Sequence, residues 1–116
     1  MFNFENLRVY QDGIIFIDKI YQITKKFPKD EMFGLTNQLR RASVSIVLNI
    51  AEGSSRTKKD FRHFLDLSRG SAYECVAILT ISRNQNLIDK NIFDKLYSDC
   101  IKLSKMISAL KNSINP

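Results

Sequence analysis

Residues 35–53, LTNQLRRASVSIVLNIAEG, decide the fold. Leu35, Leu39, Ala42, Ile46 and Ile50 recur at steps of three and four, which is the apolar stripe of a helix. The stripe ends at Gly53, a residue suited to a left-handed C-terminal cap. On the N-terminal side, Pro28 disfavours helical geometry in the residue before it, so a preceding helix should stop at Phe27. That helix carries two stripes, Leu7, Tyr10, Ile14, Ile17, Tyr21 and Thr24 beside Phe16, Ile20, Ile23 and Phe27, and Lys29-Asp30-Glu31 forms the polar turn that follows.

On the C-terminal side, Ser54-Ser55-Arg56 reads as a linker, and Thr57 with Asp60 three residues later resembles a capping box. Phe61, Phe64, Leu65, Ser68, Ala72, Cys75, Leu79 and Ser82 make a third helix that continues to about Asn84. A polar turn, Asn84-Gln85-Asn86, precedes Asp89, a good N-cap. Ile92, Leu96, Cys100, Leu103, Ile107, Leu110 and Ile114 then form a near-heptad seam. No segment alternates with period two, so no strand is expected. Four helices with short connections imply an all-α, up-down-up-down antiparallel four-helix bundle, a single domain over residues 1–116. The first helix is too apolar for one face, because Ile14-Ile15-Phe16-Ile17 covers most of a turn. Either that turn lies deep in the bundle or a second face meets another subunit, and the second reading is preferred for so small a domain.

Composition narrows the function. The chain has 116 residues, 44% of them hydrophobic, enough for a core and too broken by charge for a membrane span. Met1-Phe2-Asn3-Phe4-Glu5-Asn6 lacks the basic start of a secretory signal, and the expected location is the cytoplasm. Cys75 and Cys100 are expected to be reduced core thiols, since they sit among apolar residues on helical spacing. One histidine, His63, cannot supply the two Glu-x-x-His pairs of a di-iron bundle. There is no GxSxG elbow, and Ser68-Arg69-Gly70-Ser71 lacks the lysine and spacing of a phosphate loop. No enzyme, cofactor or metal site is therefore expected.

The net charge is +6, and it is unevenly spread. Residues 1–34 are neutral, residues 35–70 carry +4 and residues 71–116 carry +2. Arg40, Arg41, Arg56, Lys58, Lys59 and Arg62, with His63 as a weak auxiliary, are the candidate phosphate contacts. Lys58, Lys59 and Arg62 fall in the first turns of a helix, where the dipole already favours an anion. The competing reading is a solvated basic turn that only aids solubility. Phe61 and Phe64 flank the cluster but fit the core stripe better than a base-stacking role. Any nucleic-acid contact should go to backbone rather than to base edges.

A second set of polar residues lies among apolar ones: Gln38, Asn49 and Glu52 before Gly53, and Glu74 after Gly70. If buried, Asn49, Glu52 and Glu74 need partners, which Arg40, Arg41 or Gln38 could supply, and an inter-helix or inter-subunit polar network fixing register is preferred to a ligand site. Gly70, Ser71 and Ala72 would let a neighbouring helix approach closely.

Phe4-Glu5-Asn6-Leu7, Phe33-Gly34-Leu35-Thr36, Gln38 to Ile46, Asn49-Ile50-Ala51-Glu52-Gly53, Phe64-Leu65 and Gly70-Ser71-Ala72 with Glu74 resemble the bacterial four-helix family of 23S rRNA-intervening-sequence proteins. That family is similar to the accessory variability determinant proteins of diversity-generating retroelements. The retroelement proteins are basic homopentameric barrels of four-helix protomers that bind nucleic acid and a reverse transcriptase, and the resemblance implies for this chain a pentameric four-helix protomer without known catalytic activity. Tyr10 stands where a Trp is frequent, and Val47 where the motif often has Pro, which should leave the second helix straighter. The expected function is a non-enzymatic homo-oligomer that binds RNA or DNA backbone. The alternative is a scaffold that docks a protein partner such as a reverse transcriptase. A membrane-surface role is disfavoured because the apolar stripes already have a core to fill.

Overall fold

Periodicity resolves into four helices in the computed structural model, which describes residues 1–115: α1 (Arg8–Thr24), α2 (Asn37–Ser54), α3 (Lys58–Asn84) and α4 (Lys90–Ser113). There is no strand among the described residues, and no helix among them is long and apolar enough to cross a membrane. α2 packs on α3, α3 on α4, and α1 on both α2 and α4, within a body of 44 × 22 × 21 Å. The core runs through all four helices, with Phe16, Ile20, Leu39, Ile46, Ile50, Leu65, Leu79 and Ile107 almost wholly buried.

The helix starts follow from local hydrogen bonding. The Thr57 hydroxyl accepts the Asp60 N–H at 3.2 Å, and the Asp89 carboxylate accepts the Ile92 N–H at 2.8 Å. Each relieves a backbone donor that the helix leaves unpaired. The α3 start has this half of the expected box. At the N-terminus, the Glu5 carboxylate accepts the Phe2 N–H at 2.9 Å, which fixes a short 3-10 turn, Asn3–Asn6, ahead of α1.

Three boundaries differ from the periodicity. α1 ends at Thr24 rather than Phe27, since Lys26 and Phe27 donate to carbonyls only three residues back and the tightened turn swings Phe27 into the core. A 3-10 turn, Lys29–Glu31, and a π-turn, Met32–Thr36, delay α2 to Asn37. Gly34 interrupts that turn with φ −115° and ψ −115°. Gly53 is not a left-handed cap: no glycine has positive φ among the described residues, and α2 continues to Ser54. The left-handed residue is Asn86, φ 61°, in the turn between α3 and α4.

Gly53 is instead a point of contact. A Cβ there would lie 2.6 Å from Phe64 Cβ and 2.9 Å from Phe61 Cδ1, so the bare backbone lets α3 close onto α2. Gly13 does the same for α1 and α2, with Val47 Cγ1 2.6 Å from its missing Cβ. Gly70, by contrast, brings an added Cβ within 4 Å of nothing among the described residues beyond its own stretch of α3, so the close approach expected there is absent. The neighbouring Ser71 and Ala72 are buried. Buried hydroxyls complete the α2–α3 contact: Ser68 Oγ donates to the Ile46 carbonyl at 2.7 Å.

Of the two stripes on α1, the core takes the second. Phe16, Ile20 and Phe27 are buried, together with Val9, whereas the first stripe has only Thr24 buried, with Ile14 and Tyr21 each 38% exposed. Ile15 is 55% exposed, so the apolar turn of α1 does not lie deep within the protomer.

Candidate nucleic-acid interface

The basic residues singled out from sequence divide into three places. Fifteen positions separate Arg41 from Arg56, about 22 Å along a helix at 1.5 Å per residue. They therefore do not form one patch.

At the junction of α2 and α3, Lys58, Lys59 and His63 are exposed and form no ion pair among the described residues. They surround the N-terminus of a 27-residue helix. Arg56 lies beside them, with its Nη2 2.5 Å from Glu52 Oε1 and its guanidinium 5.3 Å from the centroid of Phe64. The hydrogen bond from Arg56 to Glu52, reinforced by the carboxylate charge, raises the Arg56 pKa above its ordinary value. His63 packs edge-on to Phe64 at 6.0 Å between ring centroids. This end of the molecule can present the positive charges of Lys58, Lys59 and Arg56 to a solvent-side anion, and the free N–H groups of α3 face the same way.

Arg62 follows Lys59 closely in the sequence but does different work. Its Nη1 donates to the carbonyls of Lys111 at 2.7 Å and Ile114 at 2.9 Å, closing the C-terminal turn of α4. Lys111 in turn pairs with Asp66 at 2.8 Å.

Arg40 and Arg41 face different neighbours of α2. Arg40 Nε donates to Thr24 Oγ1 at 2.9 Å, and its guanidinium lies 4.5 Å from the Tyr21 centroid, so it joins α2 to α1. Arg41 is exposed in a groove of about 380 Å³ between α2 and α3, lined also by Gln38, Ser45, Ser71 and Glu74. Along this face Asn49 Nδ2 donates to the Ser45 carbonyl at 2.9 Å, and Ser71 Oγ to Ser45 Oγ at 3.0 Å. Glu52 and Glu74 are exposed rather than buried, so the polar motif is a surface face with one partly buried rung, Asn49–Ser45–Ser71.

A larger feature has no counterpart in the sequence reading. Between α3 and α4 runs an apolar groove of about 670 Å³, floored by Val76 and Cys100 and walled by Tyr73, Tyr97 and Ile101. Tyr73, Tyr97 and Ile101 are 56%, 41% and 42% exposed. The available signal was weak: each falls close to a residue of the core stripe or the seam, and only the pairing of two helices turns them into a cavity.

Comparison with known proteins places this arrangement. A family model described as "23S rRNA-intervening sequence protein" matches residues 5–109. Among solved structures, a protein of unknown function from the S23 ribosomal protein family of Bacteroides thetaiotaomicron superposes with a TM-score of 0.83. The match covers 90% of this chain and 95% of that one at 20% sequence identity, a likeness of fold. No curated protein matches the chain at a significant level.

Proposed function

The chain belongs to the family of 23S rRNA-intervening sequence proteins, and from that premise we propose that it is a non-catalytic, cytoplasmic homo-oligomer that binds RNA or DNA through phosphate contacts. One observation carries the reading: Lys58, Lys59 and His63 stand exposed at the N-terminus of α3, without ion pairs among the described residues. Positive charge at that end of a helix adds nothing to folding, because the dipole opposes it. It suits a bound anion. Arg56, half exposed, and Arg41, on the groove side of α2, extend the surface.

The protomer in this reading is an up-down-up-down antiparallel bundle, and five copies form a barrel, as the resemblance to retroelement accessory proteins implies. Ile14 and Ile15 supply an apolar face for assembly. Repetition of the lysine cluster around a ring would make contact with a polyanion multivalent. No step of the function needs a cofactor or a metal.

A salt titration of binding tests the proposal. Three to four phosphate contacts per protomer predict that affinity for generic duplex DNA falls about 40- to 150-fold between 50 and 200 mM salt by counterion release. Absence of binding at low salt, or an affinity indifferent to salt, sinks the reading. The exposed apolar side chains Tyr73, Leu48 and Phe33 favour a second one, a scaffold that docks a protein partner such as a reverse transcriptase. Co-purification of such a partner with protein that retains no nucleic-acid affinity would select it.

A further inference from the structure

We propose that the α3–α4 groove binds a free fatty-acid anion, its tail over Val76 and Cys100 and its carboxylate at Arg69 and Lys105. The inference stands apart from the nucleic-acid reading, which uses none of these residues.

The lining of the groove changes character along its length. The start of α3 lies beside the end of α4, where Arg62 donates to the Lys111 and Ile114 carbonyls. Followed back from that end, α4 lines the groove first with Asn112, Ser108 and Lys105, with Ala109 among them, and then with Ile101, Cys100 and Tyr97. α3 contributes Arg69, then Tyr73, then Val76. Polar groups therefore gather at one end and apolar ones at the other, as a molecule with one head and one tail requires. The volume of about 670 Å³ falls in the range of pockets that take a small organic ligand. Both walls are helices whose backbone groups are paired internally, so the apolar half offers a ligand almost no hydrogen bonds. A hydrocarbon tail loses nothing there, whereas an extended peptide would leave its own backbone unpaired.

Charge selects the sign of the head. Arg69 and Lys105 are exposed at the polar end, and neither meets a carboxylate among the described residues. No acidic side chain lines the groove among those residues either. The carboxylate nearby on α3, Asp66, is already paired with Lys111 at 2.8 Å. The carbonyl end of α4 disfavours an anion, and the Arg62 guanidinium bonded to it offsets that field. Arg69 is held in place: it donates to the Tyr73 hydroxyl at 2.7 Å, and its guanidinium lies 5.0 Å from the centroid of that ring. The rest of its planar fork stays free to meet a carboxylate.

Isothermal titration calorimetry of the full chain tests the assignment, with dodecanoate as the probe below its micelle-forming concentration. One molecule should bind per chain. Affinity should rise about two- to fourfold per added methylene from octanoate to dodecanoate, as the tail leaves water. Arg69→Gln combined with Lys105→Gln should weaken dodecanoate about 10-fold or more, by loss of the charged hydrogen bonds. Dodecylammonium, with the same tail and the opposite charge, should bind wild type more weakly by at least that factor. Lys25→Gln combined with Lys26→Gln removes the same charge outside the groove and should leave the affinity within about twofold. All four positions are exposed, so circular dichroism should match wild type in both double variants. No saturable binding, which is also the result if another protein chain closes the groove, overturns the proposal. So does an affinity indifferent to tail length, an equal affinity for dodecylammonium, or an equal loss in the two double variants.

Discussion

Arg62 Nη1 lies 2.7 Å from the carbonyl oxygen of Lys111, so a side chain whose charge suggested a phosphate contact closes the last turn of α4. A helix leaves its final carbonyls without partners inside the helix, and here one guanidinium serves two carbonyls at that end. Arg62→Gln should lower stability by about 1–3 kcal/mol, the usual range for hydrogen bonds from a charged donor. Arg62→Lys should recover only part of that, since an ammonium lacks the planar fork. Urea unfolding of the three proteins measures this, and an unchanged midpoint for Arg62→Gln would remove the structural role.

Lys58→Gln combined with Lys59→Gln should behave in the opposite way. Both residues are exposed and unpaired, so stability should hold or rise by a few tenths of a kcal/mol as positive charge leaves the helix N-terminus. The salt dependence of duplex-DNA binding should become shallower by about 0.9 in log–log slope for each phosphate that no longer meets a lysine. Anisotropy titrations over a salt series report the slope, and one equal to wild type would exclude these lysines from the interface.

Gly53→Ala and Gly13→Ala should each destabilise by about 1–3 kcal/mol through overpacking, against the gain of about 1 kcal/mol that alanine brings to a helix. The clash at Gly53 is with Phe64 Cβ, close to the α3 backbone, and that at Gly13 is with the stiff side chain of Val47. Val47→Ala should make room, so Gly13→Ala in that background should cost less, with a coupling of at least about 0.5 kcal/mol. Thermal melts of the single and double variants give the cycle.

The two buried thiols predict an alkaline limit. Burial pushes the Cys100 pKa from its ordinary 9.0 up to about 12, and pushes Cys75 higher still. The unfolded chain ionises both thiols near pH 9, while the folded chain keeps them neutral. Their contribution to stability is therefore complete below about pH 8.5 and is lost as pH rises from 9 through about 12. Urea midpoints at pH 8, 9.5 and 10.5 should fall less steeply for the Cys75→Ala, Cys100→Ala double variant than for wild type. Iodoacetamide should label neither thiol of the folded protein quickly at pH 8.

What the sequence made legible were features decided by one helix at a time. Thr57 and Asp89 cap their helices because each needs only a hydroxyl or carboxylate and an N–H three residues on. The stripes of α3 and α4 are buried largely as spaced, since each of those helices has a single continuous apolar face. On α1 both stripes are apolar, so periodicity could not choose, and packing of Gly13 against Val47 selected Phe16 and Ile20 for the core. Gly53 was misread because a glycine at a helix end suits either a left-handed turn or a close contact, and Phe64 lies eleven residues away. The candidate interface suffered most. Charge spacing cannot show that the partner of Arg62 is 49 residues distant, or that Arg40 and Arg41, adjacent in the chain, face different neighbours. The α3–α4 groove belongs to neither helix alone.

Only three residues, Ser55-Arg56-Thr57, separate α2 from α3, and the pair is joined by Gly53 against Phe64 and by the Ser68 hydroxyl on the Ile46 carbonyl. Such contacts close short loops and form quickly. The centre of the chain is thus the natural nucleus for folding, with the two outer helices added afterwards. α1 leaves the ribosome before the surface that receives it exists, and its core side chains, Phe16 and Ile20, must wait, unshielded, for the middle of the chain to emerge.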